Sequence, residues 1–140
     1  TLDRKKLGGL VFSDPAQLDT LNRIVYFHVR RAVETIRAEK KACGCTLFAV
    51  DAINLIQSGL ASLCDVTVGV TAPQEVRLAR IMARDGIERR YALLRIRAQE
   101  PESYFRTHCT YILENGEISQ EEFQIQAEAL LDKIIKENAK

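Results

Sequence analysis

The 140-residue sequence has no tryptophan, one methionine, two histidines and three prolines. Charge of either sign is also nearly absent in sum: twenty Lys and Arg stand against nineteen Asp and Glu, a formal net charge of +1. That balance excludes a general nucleic-acid binder or an acidic tail, and it makes a local excess of charge more informative than the total. Exposed aromatics are too few for stacking on bases, which weakens an RNA-binding reading further. No apolar run approaches the roughly eighteen residues of a membrane span, and no charged segment followed by an apolar one opens the chain. A cytoplasmic protein with no membrane partner is the expectation. The four cysteines are Cys43, Cys45, Cys64 and Cys109. The only close pair is a C-x-C, not the C-x-x-C of zinc sites, and no histidine lies at ligand spacing. Reduced, mostly buried thiols and no metal are expected.

Hydrophobic residues make up 46% of the chain, enough for a core, and its length is that of one domain spanning residues 1–140. Thr1 opens a polar run, TLDRKKLGG, that reads as the interior of a longer chain.

Ser13-Asp14-Pro15 reads as a helix start, with Asp14 as cap, Pro15 at the first helical position and Gln17 at the third. Leu18, Leu21, Val25, Ala32, Val33 and Ile36 continue the helical spacing to about Lys40. Arg30, Arg31, Arg37, Lys40 and Lys41 form its basic outer face, read as solvated, and His28 is not read as a ligand. Gly44 breaks the helix. Thr46 to Val50 then has the length and composition of a buried strand, and Asp51 stands at its carboxyl end, where open α/β sheets place ligand chemistry. From spacing alone, an aspartate capping the next turn is an equal reading.

After a mixed helical turn broken at Ser58-Gly59, Val66 to Val70 reads as a second buried strand feeding a helix that begins near Pro73. That helix carries Arg77, Arg80 and Arg84 on one face, followed by Arg89, Arg90, Arg95 and Arg97, with only Glu75, Asp85 and Glu88 against them. Such a face wants an anion. Thr110 to Leu113 is a third strand, closed by Glu114-Asn115-Gly116, and Ser119 caps a last helix with Glu122 three residues on. Strands alternating with helices imply a parallel sheet covered on both faces, a three-layer α/β/α fold.

Several of these residues, in order and spacing, resemble dephospho-CoA kinase. They are Phe12-Ser13-Asp14-Pro15, Leu21-Asn22, Val50-Asp51-Ala52, Ser58-Gly59-Leu60 with Cys64-Asp65, Ala72-Pro73 with Arg80, Arg84-Asp85-Gly86, Arg95-Ile96, Gln99, and Tyr111 to Asn115. The resemblance runs nearly end to end. It implies a P-loop nucleotide-kinase fold, incomplete at the N-terminus, and transfer of phosphate from ATP, with Mg2+, to the 3'-hydroxyl of dephospho-CoA. It also implies a lid over about residues 77–99. Arg84 would be the lid arginine that stabilises the transferring phosphoryl group. Arg80, Arg95 and Gln99 would hold substrate phosphates, with ion pairs to Glu75, Asp85 or Glu88 as the competing reading for the arginines. Asp51 would act through magnesium or a substrate hydroxyl, and Asn115 would lie at the nucleotide, a plain turn residue being the competing reading.

The departures are as definite. No G-x-x-x-x-G-K-[ST] occurs in the 140 residues. The family's His-Pro after Leu-Asn is Tyr26-Phe27 here, its D-x-P-L-L-x-E reads Asp51 to Gln57 without the proline and the acid, and its Ala-Asp before the third strand reads Cys109-Thr110. No general base is visible. The chain alone is therefore expected to be inactive, and a non-catalytic module that binds nucleotide or CoA phosphates is the alternative.

Overall fold

A carboxylate placed one residue before a proline is enough to start the longest helix. The computed structural model describes residues 2–11 and 13–138; Thr1 and Phe12, the latter part of the expected Phe12 to Pro15 motif, lie outside them. Two compact units follow one another, residues 1–65 and 66–140.

In the first unit, α1 (Arg4–Val11) precedes α2 (Pro15–Ala42). Asp14 caps α2 as expected: its Oδ1 accepts from the Ala16 and Gln17 amides at 2.9 and 3.3 Å, and Gln17 Nε2 donates to its Oδ2 at 2.9 Å. The helix stops where Gly44 takes φ +79°, a left-handed conformation that spares glycine a Cβ clash. No described residue of α2 is buried. Its basic face is not wholly solvated, because Arg30 Nη1 donates to Gly59 O at 3.3 Å and Ser62 Oγ at 3.2 Å, tying the helix to the 3₁₀ turn Leu60–Leu63. Tyr26, which stands where the family has histidine, accepts from Asn54 Nδ2 at 3.3 Å.

The expected strand at 46–50 does not form: the segment has no regular secondary structure, no described strand pairs with it, and Leu47 and Phe48 remain exposed. A strand exists only through its neighbour's hydrogen bonds, so composition could not decide it. All four cysteines are free, yet Cys43 and Cys45 are exposed, because they lie in the turn that ends α2.

In the second unit, β1 (Val68–Thr71) and β2 (Tyr111–Glu114) are parallel, with Val68 opposite Tyr111 and Thr71 opposite Glu114. Parallel strands need a long crossover, here the helices α3 (Gln74–Asp85), α4 (Arg89–Arg97) and α5 (Glu102–His108). The fold is α/β, as expected. At the start of the strands the Thr67 amide donates to Thr110 Oγ1 at 3.1 Å and the Thr110 amide to Thr67 Oγ1 at 3.0 Å.

One face of β1 is packed and the other is not. Thr67, Gly69 and Thr71 are buried, whereas Val68 and Val70 are exposed, and Val70 keeps 61% of its surface. The strand expected to be buried at 66–70 is thus covered on one face within this unit, in which α5 packs on β1. A Cβ at Gly69 would lie 2.9 Å from Ile112 Cδ1, 3.1 Å from Cys109 Sγ and 3.4 Å from Phe105 Cβ. The tight contacts are to Ile112 and Cys109, so an added methyl would force these side chains to shift. Gly69→Ala is expected to lower stability by about 1–3 kcal/mol through overpacking, read from the midpoint of urea unfolding.

The last helix, α6 (Gln120–Asn138), starts in a reciprocal box. The Ser119 amide donates to Glu122 Oε2 at 2.8 Å, and the Glu122 amide to Ser119 Oγ at 3.1 Å. The Ser119 amide holds the Glu122 carboxyl below its ordinary range, and the Gln17 side chain does the same for Asp14. A depressed carboxylate stabilises the fold above its unfolded pKa and loses that contribution as pH falls through the folded value. Acid titration is therefore expected to fray the first turns of α2 and α6 below the usual carboxylate range. Far-UV circular dichroism should show the loss, and Glu122→Gln should abolish the α6 share of its pH dependence.

Candidate functional site

The arginines gather on a helical hairpin with its own small core. Leu78 of α3 packs with Ala92 and Ile96 of α4, flanked by Ile81, Met82, Ile87 and Leu93. Gly86 makes the corner between the helices: it takes φ +63°, and its amide donates to Met82 O at 3.0 Å.

Above this core one carboxylate stands between two guanidiniums. Arg84 Nε donates to Asp85 Oδ1 at 2.7 Å and its Nη2 to Oδ2 at 3.1 Å, while Arg95 Nη1 also donates to Asp85 Oδ2. The Asp85 side chain is 21% exposed, against 74% for Arg84 and 53% for Arg95. The Arg84 hydrogen bond holds the Asp85 carboxyl below its ordinary range, burial opposes this, and the charges of Arg84 and Arg95 add to it. Two fixed positive charges against one negative charge leave an exposed cationic cluster with unused N–H groups, a site suited to a phosphoryl anion.

Arg80 belongs to a different construction. Its Nη1 donates to Asn115 O at 2.9 Å, and its Nη2 to Asn115 Oδ1 at 3.1 Å and Gly116 O at 3.0 Å. Arg80 and Asn115, chosen separately from the sequence, thus meet, and α3 is fastened to the turn at the carboxyl end of β2. Arg77 Nη2 donates to Gln99 Oε1, joining the two ends of the expected lid.

Among the remaining arginines, Arg89 makes a two-pronged pair with Glu75 at 3.0 Å for each bond and Arg90 pairs with Glu88 at 3.0 Å. Asp51 belongs to the first unit; it is exposed, and no described residue makes a polar contact with it. The sequence marks Asp85 as part of the Arg84-Asp85-Gly86 motif and as one of three competing partners, but not as the carboxylate shared by Arg84 and Arg95. The Arg-Asp adjacency was its only local signal. The carbonyl of Gly116 left no signal at all, since every residue has one.

No group of three or more His, Cys, Asp or Glu that could hold a metal occurs among the described residues, and no described helix is long and apolar enough to cross a membrane.

Residues 1–120 match the family model for dephospho-CoA kinase. A dephospho-CoA kinase of Thermus thermophilus is 39% identical over 114 residues, covering 81% of this chain and 55% of the relative. One of Deinococcus radiodurans is 38% identical over 128 residues, covering 91% and 62%. A crystal structure from Thermus thermophilus superposes with a TM-score of 0.70 at 35% identity, over 94% of this chain and 67% of that one. The chain thus spans 55% to 62% of the length of these two curated relatives.

Proposed function

The chain belongs to the dephospho-CoA kinase family, and from that premise we propose that it is part of an enzyme that moves the γ-phosphoryl group of ATP to the ribose 3'-hydroxyl of dephospho-CoA, giving coenzyme A and ADP. The observation that carries the reading is the exposed Arg84-Asp85-Arg95 cluster at the hairpin of α3 and α4. Phosphoryl transfer asks little covalent chemistry of a protein; it asks for positioning and for charge opposite the equatorial oxygens. Arg84 is the residue assigned to the transferring phosphoryl group, with Arg95 beside it.

Residues 77–99 act as the lid, and the Arg77 to Gln99 bond closes its base. The polar contacts of Arg80 with described residues all run to the 115–116 turn, which supports a positioning role for Arg80; Asn115 is the residue assigned to the nucleotide. Asp51 is the carboxylate for magnesium or for a substrate hydroxyl. Its exposure and its lack of a polar partner among the described residues fit a metal that takes one or two carboxylates and completes its shell with phosphate and water. When bound, Mg2+ would neutralise charge on the ATP phosphates. The reaction is assigned to the cytoplasm, and no nucleic-acid partner is invoked.

The sequence lacks G-x-x-x-x-G-K-[ST], so the phosphate loop is assigned to residues outside these 140 and the chain by itself is expected to be inactive. Tyr26-Phe27 in place of the family's His-Pro and the changed Asp51 to Gln57 segment favour a second reading, a module that binds nucleotide or CoA phosphates without turnover. The two separate in one assay. The protein encoded by the full reading frame is given ATP, Mg2+ and dephospho-CoA, and ADP and coenzyme A are measured. Formation of both supports the kinase; calorimetric binding with no ADP supports the module and overturns the enzyme.

A further inference from the structure

Asp85 sits where a carboxylate is out of place. It is the last residue of α3, at the end where aligned peptide dipoles present negative charge and favour cations. Exposed ion pairs contribute at most about 1 kcal/mol, so stability alone gives little reason for it. The geometry gives another. Asp85 uses Nε and Nη2 of Arg84 and only Nη1 of Arg95. Among the described residues, Arg84 therefore keeps Nη1 free, and Arg95 keeps Nε and Nη2. The two cations come from different helices joined through Gly86, and one carboxylate fixes the orientation of both.

Resting on the kinase reading above, we infer that Asp85 is the positioning residue of the lid, holding Arg84 and Arg95 so that their unused N–H groups face one phosphoryl anion together. Asp85 does not touch the substrate. It removes the rotational freedom of two long side chains before the anion arrives, and it lowers the repulsion between them. Other groups do not take its place: Glu75 is engaged by Arg89 and Glu88 by Arg90.

The role predicts a split between turnover and binding. Removing the negative charge makes the cluster more cationic, so anion affinity is kept or strengthened, while the orientation needed in the transition state is lost. In the protein from the full reading frame, Asp85→Asn is expected to lower kcat roughly ten- to a hundredfold, with KM for ATP and the calorimetric Kd for tripolyphosphate unchanged or lower. Asp85→Glu, which keeps the carboxylate, should recover most of the kcat. Thermal melts of both variants separate this from a folding defect, which would depress turnover and binding together in the Asn and Glu variants alike. Wild-type kcat in Asp85→Asn, or a parallel loss of tripolyphosphate binding, overturns the inference while leaving the kinase standing. A wild-type protein that makes no ADP overturns the kinase reading and the role of Asp85 with it.

Discussion

Arg84→Ala, made in the protein encoded by the full reading frame, is expected to lower kcat for dephospho-CoA phosphorylation on the order of a thousandfold while leaving the thermal melt unchanged. Both halves of that expectation come from one geometry. The Arg84 side chain is 74% exposed and its bonds run to the adjacent Asp85, so removing it opens no cavity and strands no buried charge. What disappears is a delocalised cation whose planar fork meets phosphoryl oxygens in the transition state, where the charge is redistributed. Arg84→Lys should rescue little, because an ammonium cannot hold Asp85 with one edge and present another to the anion. Steady-state production of ADP decides the matter. A fall of less than about tenfold would move the transition-state role to Arg95 or away from this hairpin altogether.

Leu78→Ala is the second large effect, and it acts by a different route. Leu78 is 1% exposed and is the centre of the only buried cluster shared by α3 and α4 among the described residues. Truncation leaves a cavity lined by Ala92 and Ile96 and is expected to cost about 3 kcal/mol, within the range of roughly 2–5 for such changes, seen as a lower urea midpoint. Leu78→Met keeps most of the volume and should cost less than about 1.5 kcal/mol. Because Arg84 and Arg95 ride on the two helices that Leu78 joins, the alanine variant should also lose turnover at temperatures where it remains folded. Hydrogen exchange of the α3 and α4 amides should rise first.

The parts of the fold that could be read from the sequence are those whose cause is local. Asp14 with Gln17 and Ser119 with Glu122 make their bonds within three residues, so the spacing of the letters is the spacing of the contacts. Gly44, Gly59 and Gly86 mark chain reversals for the same reason: only glycine takes positive φ without strain, and all three do. Residues 46–50 fail as a strand because a ladder needs a partner, and Val68 and Val70 are exposed because apolar composition cannot say what covers a face.

The candidate site divides along the same line. That Arg77, Arg80 and Arg84 share a helical face follows from periodicity. Which carboxylate each would meet depends on how α4 folds back at Gly86, and there Glu75 pairs with Arg89, Asp85 with Arg84 and Arg95, and Arg80 with no carboxylate among the described residues. Asp51 and Asn115 were chosen as residues at strand ends. Asn115 does follow a formed strand, whereas Asp51 follows a segment that is unpaired among the described residues.

The threonine pair at the start of β1 and β2 has a consequence for alignment. A parallel pair only four residues long, reading Val-Gly-Val-Thr on one side, could slide by two residues and keep every side chain on its own face, so hydrophobic matching discriminates poorly against the shifted arrangement. The interlocked Thr67 and Thr110 groups act as an index pin, because any slide leaves both amides and both hydroxyls unmatched. At the opposite end Arg80 performs the same service on Asn115 and Gly116. A two-residue slide would carry that turn roughly 6–7 Å along the sheet, out of reach of a guanidinium. Two polar stops thus set to ångström tolerance the position of a loop assigned to the nucleotide.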